Sequence, residues 1–175
     1  MKRPLDRVWN IVLTGYPRSG KTVLARRLVS SVRNIVRLST EDVRHMLFHE
    51  PYPSRDEELV LKLTLLMRDC LLRMGTTVVI DSTAHTNRLR TRLLTTAEKA
   101  SSVLVVVDAD RNLLTKRGSA VGRPCITVRW DRFWEKPKTK HKMIRVKSNT
   151  HSDLEIAVNK LIRRLKLRRS MKTAQ

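Results

Sequence analysis

The sequence predicts an α/β protein: a doubly wound parallel sheet of about five strands, with helices on both faces and a basic lid. Three observations predict it. Short apolar runs rich in Val and Ile alternate with stretches of helical spacing along the 175 residues. The apolar run 8–14 leads directly into Gly15-Tyr16-Pro17-Arg18-Ser19-Gly20-Lys21-Thr22, which matches G-x-x-x-x-G-K-[ST]. Two later runs, 76–81 and 103–108, are β-branched and close on an aspartate, the composition of strands buried on both faces.

Each element follows in order. After the glycine loop, Val23, Leu24, Arg27 and Leu28 keep helical spacing. Residues 35–39 predict a second strand, and Ser39-Thr40-Glu41-Asp42 has N-cap spacing for a helix to about His49. Pro51-Tyr52-Pro53 breaks it. Ser54-Arg55-Asp56-Glu57 fits a capping box, opening a long helix with Leu59, Leu63, Leu66 and Cys70 on one face and Gly75 at its C′ position. The strand 76–81, a helix over 86–100 and the strand 103–108 come next. Residues 111–124 read as a short helix followed by a basic loop, residues 126–135 as another short helix halted before Pro137, and 142–146 as the last strand. Ser152-Asp153-Leu154-Glu155 reads as a capping box for a helix that buries Leu154, Val158, Leu161 and Leu165. Residues 168–175 are expected to fray. The length suits one domain, ending near residue 169 with a basic tail over 170–175.

Composition narrows the classes. Hydrophobic residues make up 41%, enough for a packed core, and no run of about 18 apolar residues exists to cross a membrane. Residues 1–6 lead straight into the first strand with no signal peptide. Cys70 and Cys125 give neither a disulfide framework nor metal-ligand spacing, so a reducing cytoplasm is the expected compartment. The net charge is +21, and it is uneven. Residues 1–40 carry nine Lys or Arg against one acid, residues 41–100 nine against nine, and residues 101–175 nineteen against six. Phosphates on one nucleotide would answer two or three of these cations. Nucleic acid, RNA or DNA, is the natural partner for the rest, unless they are simply solvated faces.

The glycine loop carries the clearest chemistry. Its backbone N–H groups can turn inward around phosphate, and the helix behind adds a positive N-terminal dipole. Lys21 would reach the β- and γ-phosphates of ATP, and the Thr22 hydroxyl would ligand Mg²⁺. Glu41 and Arg44, three apart past the second strand, lie on one helical face; the carboxylate can accept a hydroxyl proton while the guanidinium holds an acceptor's phosphate. Acids favouring a helix N-terminus are the plainer account of that pair. Asp81 ends an apolar strand, where it could reach Mg²⁺ through water or orient Arg44. Of Arg88, Arg90 and Arg92, spread around one helix, only Arg88 at its start suits a site. The loop Lys116-Arg117-Gly118-Ser119-Ala120-Val121-Gly122-Arg123-Pro124 has hinge glycines around Arg117 and Arg123, as in a lid that neutralises transition-state charge.

With these pieces in this order, the chain resembles the P-loop kinases that include polynucleotide 5′-hydroxyl kinases and adenylylsulfate kinases. The resemblance rests on GYPRSGKT (15–22), STEDVR (39–44), IDST (80–83) and KRGSAVGRP (116–124). It implies the three-layer P-loop NTPase fold. It also implies a catalytic acid at Glu41, from the family's D-x-x-R pattern, with Arg44 as its partner and Asp81 as the strand-end aspartate. Three departures stand out: the acid is Glu, one methylene longer, so Asp42 could compete with Glu41 as base; Arg18 stands where these kinases often carry Gly; and the spacing of the lid arginines Arg117 and Arg123 is irregular.

Other candidates are weaker. His45 and His49 are four apart with no third ligand evident. Trp130, Phe133 and Trp134 either stack nucleobases or pack in the core. Arg163, Arg164, Lys166, Arg168 and Arg169 make the last helix and its end basic, for phosphate backbone or for solvent. The expected activity is Mg²⁺-dependent transfer of the γ-phosphate of ATP to a hydroxyl, preferably the 5′-hydroxyl of a polynucleotide. A small-metabolite kinase, and an RNA-binding protein gated by ATP with weak turnover, are the alternatives.

Overall fold

A computed structural model describes residues 7–49, 56–122 and 126–170. Its centre is one five-stranded sheet, β1 (Trp9–Thr14), β2 (Ile35–Ser39), β3 (Thr77–Asp81), β4 (Ser101–Asp108) and β5 (Lys142–Lys147). Every pairing is parallel and the order is β2-β3-β1-β4-β5. The chain therefore reverses its direction of travel at β1, and the crevice above the C-terminal ends of the strands opens there.

Alternation along the strands builds two cores. Ile11 and Leu13 of β1 face α1 (Lys21–Ser31) and α7 (His151–Leu165), joining Leu24, Leu28, Leu154 and Leu161. Val12 points the other way, into a cluster with Val60, Leu61, Leu72, Leu93 and Leu94. Those side chains come from α3 (Glu57–Arg73) and α4 (Asn87–Leu94); α2 (Thr40–Phe48) adds Val43. Two short helices, α5 (Arg111–Ser119) and α6 (Ile126–Asp131), lie between β4 and β5. The layering is the α/β fold the sequence predicts.

Several boundaries differ, each for a local reason. The α3 cap is Asp56, whose carboxylate accepts from the Leu59 N–H at 2.9 Å, and Ser54 lies outside the described residues. The buried face of α3 is Val60, Leu61, Thr64, Arg68 and Leu72, which leaves Leu59, Leu66 and Cys70 exposed. Helix α4 stops at Leu94, not at residue 100. Its last carbonyls are taken by tertiary donors: Arg68 Nη1 and Asn10 Nδ2 on Leu93 O, at 2.8 and 2.9 Å, and Ser102 Oγ on Leu94 O at 2.6 Å. The α7 capping box is Thr150 with Asp153, two residues earlier than the sequence spacing suggested. Nor does the chain fray at residue 168. Arg33 N–H donates to Arg168 O, Ser170 N–H donates to Ser31 O, and Arg169 bridges Val32.

Candidate active site

The loop between β1 and α1 closes tightly. A Cβ at Gly15 would stand 2.5 Å from Val107 O and 2.6 Å from Ser19 Oγ, so only glycine fits. Gly20 caps α1 at φ 89°, a left-handed conformation natural to glycine. Arg18 takes a left-handed φ of 67°, so the backbone keeps a glycine-like turn there at a cost of about 1–2 kcal/mol. Helix α1 has no side-chain cap and no acid in its first turn, which leaves its positive end available to an anion.

Lys21 is buried, and its ammonium donates to Gly15 O at 2.9 Å and Tyr16 O at 2.8 Å. Burial pulls its pKa down to about 8, against the opposing pull of Asp81 and Glu41. The loop is braced from β5 and α5. Ser148 Oγ donates to Ser19 O, and Arg117 donates to Arg18 O, Ser148 O and Asn149 O at 3.1, 2.9 and 3.0 Å. Ser19 Oγ itself is buried without a hydrogen-bond partner.

Beyond the loop a cavity of about 830 Å³ opens over the sheet. Lys21, Thr22, Glu41, Arg44, Asp81 and Arg117 all line it, so the fold gathers these sequence candidates around one space. Asp42 does not line it; Arg37 binds Asp42 and also the Asp81 Oδ2 at 2.8 Å. Of the two roles open to Asp81, orienting Arg44 is therefore not the one seen. Arg37 holds Asp81, while Arg44 makes a bidentate pair with Glu57, both bonds 2.6 Å. The reason is reach: Arg37 and Asp81 lie on adjacent, registered strands, whereas Arg44 sits on α2 facing the start of α3.

The basic loop 116–124 is also reassigned in part. Lys116 to Ser119 are the end of α5, and Gly118 is buried within that helix one turn after buried Leu114. Gly118 is thus a packing glycine, not a hinge; Gly122, at φ 70°, is the turn residue, and Arg123 lies outside the described residues. His45 and His49 meet edge to face at 6.1 Å, and no metal-holding cluster of His, Cys, Asp or Glu exists among the described residues.

The sequence reading passes over Arg37 and sets Arg90 aside. Arg37 could have been noticed as a lone charge inside an apolar strand. Arg88, the site candidate at the start of α4, is exposed and does not line the cavity, whereas Arg90 is fully buried. It donates to Asn87 Oδ1, His85 O and Glu135 O at 2.7, 2.8 and 2.8 Å, and reaches Thr14 Oγ1 at 3.3 Å. Its guanidinium also covers Trp134, whose other neighbour is the Tyr16 ring at 4.7 Å. Tyr16 donates to Asp131 at 2.8 Å, and burial with that bond pushes its pKa up to about 12. Of the three tryptophan and phenylalanine side chains in this region, Trp134 is half-buried between Arg90 and Tyr16, Trp130 lines the cavity edge-on to His85, and Phe133 is exposed.

The AAA domain family matches residues 11–123. The chain belongs to this family. Its fold is shared with solved structures of kinases. A chain of the Pnkp1/Rnl/Hen1 complex is 30% identical over 67% of this AAA domain chain, with a TM-score of 0.59. The present chain spans only 41% of that relative's length. The Mycobacterium tuberculosis APS kinase CysC, in complex with AMPPNP and APS, is 17% identical with a TM-score of 0.70; the match covers 93% of this chain and 99% of that one. A gluconokinase from Sinorhizobium meliloti 1021 is 16% identical with a TM-score of 0.60, over 94% of this chain and 98% of that one. These last two likenesses are of fold. Comparison with curated protein sequences gives no match. No helix among the described residues is long and apolar enough to cross a membrane.

Proposed function

We propose that this AAA domain binds ATP with Mg²⁺ and transfers the γ-phosphate to a hydroxyl, with the 5′-hydroxyl of a polynucleotide as preferred acceptor. The observation that carries the reading is the single cavity wall shared by Lys21, Glu41, Arg44 and Asp81. In this account residues 15–22 cradle the phosphates, and Lys21 leaves its two carbonyls for the β- and γ-phosphates. The acceptor oxygen bonds to the γ-phosphorus, the bond to the β–γ bridging oxygen breaks, and the hydroxyl proton passes to Glu41. Arg44 holds the acceptor's phosphate in competition with Glu57. Arg117, and Arg123 after it in sequence, offset charge on the triphosphate.

The residues fit Mg²⁺. Thr22 and Asp81 line the same cavity and offer hard oxygen donors, and Mg²⁺ characteristically takes one or two such groups plus phosphate oxygens and water. When bound, the ion supplies Lewis-acid polarisation of the phosphoryl group.

The polynucleotide preference draws on the +21 charge and on the 30% identity to a chain of the Pnkp1/Rnl/Hen1 complex. One observation favours the small-metabolite kinase instead: residues 41–100, which supply Glu41, Arg44, Glu57 and Asp81, balance to no net charge. Incubation with γ-labelled ATP and a set of acceptors tests the reading. Label on 5′-hydroxyl oligonucleotides supports it; label only on adenylylsulfate, a nucleoside or a sugar selects the alternative. ATP binding with no label on any acceptor returns the reading to an ATP-gated RNA-binding protein.

A further inference from the structure

The charge is segregated by the fold. Helices α2, α3 and α4 and strand β3 come from the neutral segment 41–100, whereas β5 and α7 come from a stretch, 136–170, with twelve Lys or Arg against two acids. Both acids, Asp153 and Glu155, sit at the start of α7, where Asp153 completes the cap and Glu155 lies 3.7 Å from Arg27. The other charged side chains of this stretch are all cationic.

That face is fixed in place. Strand β5 is the sheet's outer edge beside β4, and α7 packs against it. Lys160 donates to Arg145 O at 2.8 Å and Lys142 to Arg164 O at 3.2 Å, so lysines of strand and helix cross the seam between them. Beyond α7 the backbone pairing of Arg168 and Ser170 with the end of α1 holds the last arginines against Arg33. The six residues of β5 and fifteen of α7 extend about 20 Å each. That length matches about six base pairs of duplex, which carry two phosphates per pair.

We propose that the β5–α7 edge, beyond the first turn of α7 that lines the cavity, is a docking face for double-stranded nucleic acid, read through its phosphate backbone. Two features select this partner. Among the described Phe, Trp and Tyr residues only Phe133 is exposed, and it lies beside α6, so the edge offers no ring on which single-stranded bases would stack. Large apolar side chains that would enter a lipid surface are sparse there, with Met143 and Ile156 the exposed ones on β5 and α7. The face does not depend on the transfer reaction, and it puts a bound duplex at the opposite sheet edge from β2.

Anisotropy of labelled 20-base-pair RNA and DNA duplexes across a salt series tests the face on the intact protein. The expected result is steep salt dependence, a log–log slope of about −0.9 per phosphate contact, undisturbed by saturating AMPPNP. The variant Lys142→Gln/Lys160→Gln/Arg163→Gln/Arg164→Gln should flatten the slope by about two to four, while Lys62→Gln/Arg88→Gln on α3 and α4 leaves it unchanged. Arg163→Lys/Arg164→Lys should bind like wild type, and Arg163→Gln/Arg164→Gln carries the same test with half the change if the quadruple variant folds poorly. An unaltered slope in the glutamine variants would overturn the proposal. So would equal loss in the α3–α4 control, displacement by AMPPNP, or preference for phosphatidylserine vesicles or single strands over duplex. Because AMPPNP and duplex are scored separately, failure here leaves the kinase reading standing.

Discussion

The guanidinium of Arg90 lies 4.9 Å from the ring centroid of Trp134, and through it α4 is locked to the segment that follows α6. The same guanidinium holds the carbonyls of His85 and Glu135, so one buried cation joins the end of β1, the β3–α4 connection and the Tyr16–Trp134 stack. Arg90→Ala strips donors from buried carbonyls and should cost about 2–4 kcal/mol in urea unfolding. Arg90→Lys keeps the charge without the planar fork and should recover less than half of that. Equal stability of wild type and Arg90→Ala would remove the locking role.

Lys21→Ala should leave the free protein's melting temperature little changed, because a buried ammonium already carries a desolvation penalty. It should abolish most of the thermal shift on adding ATP and lower turnover at least about a hundredfold. Calorimetry with and without nucleotide separates the two effects; an undiminished ATP-induced shift would speak against Lys21 as the phosphate contact.

Glu41 and Asp42 are adjacent but face different tasks. Glu41→Gln should reduce kcat about a hundredfold or more with ATP affinity nearly intact. Asp42→Asn should leave kcat within a few fold and lose about 1 kcal/mol or less, since it loosens an exposed pair with Arg37. Single-turnover rates and unfolding curves check both. A crippled Asp42→Asn enzyme with an active Glu41→Gln would reverse the assignment.

The bidentate Arg44–Glu57 pair predicts a competition. Glu57→Gln weakens the internal partner and should lower KM for a phosphate-bearing acceptor several fold with little change in kcat, whereas Arg44→Lys should raise KM. Steady-state kinetics against acceptor concentration reads this directly. A higher KM in Glu57→Gln would mean that Glu57 orients Arg44 for the acceptor.

What the sequence made legible was local. The spacing of residues 15–22, the cap at Ser39, the apolar runs of β1, β3 and β4 and the short strands β2 and β5 are each written within a few neighbouring residues, and each appears where it was expected. What it hid depends on distant partners. Arg88, Arg90 and Arg92 look alike along the chain; Arg90 is singled out by Thr14, 76 residues away, and Glu135, 45 residues away. Helix α4 ends early because Asn10, Arg68 and Ser102 claim its last carbonyls. Arg37 became visible as the holder of Asp81 only once β2 and β3 were paired in register.

The most direct measurement of the central claim is transfer of ³²P from γ-labelled ATP to a 5′-hydroxyl oligonucleotide, run beside adenylylsulfate, gluconate and a nucleoside at equal concentration with Mg²⁺. The account predicts label at the oligonucleotide 5′ end, removable by phosphatase, absent without Mg²⁺ and reduced at least about a hundredfold in Lys21→Ala and Glu41→Gln. Label that reaches none of these hydroxyls, from a protein that still binds ATP, would contradict it.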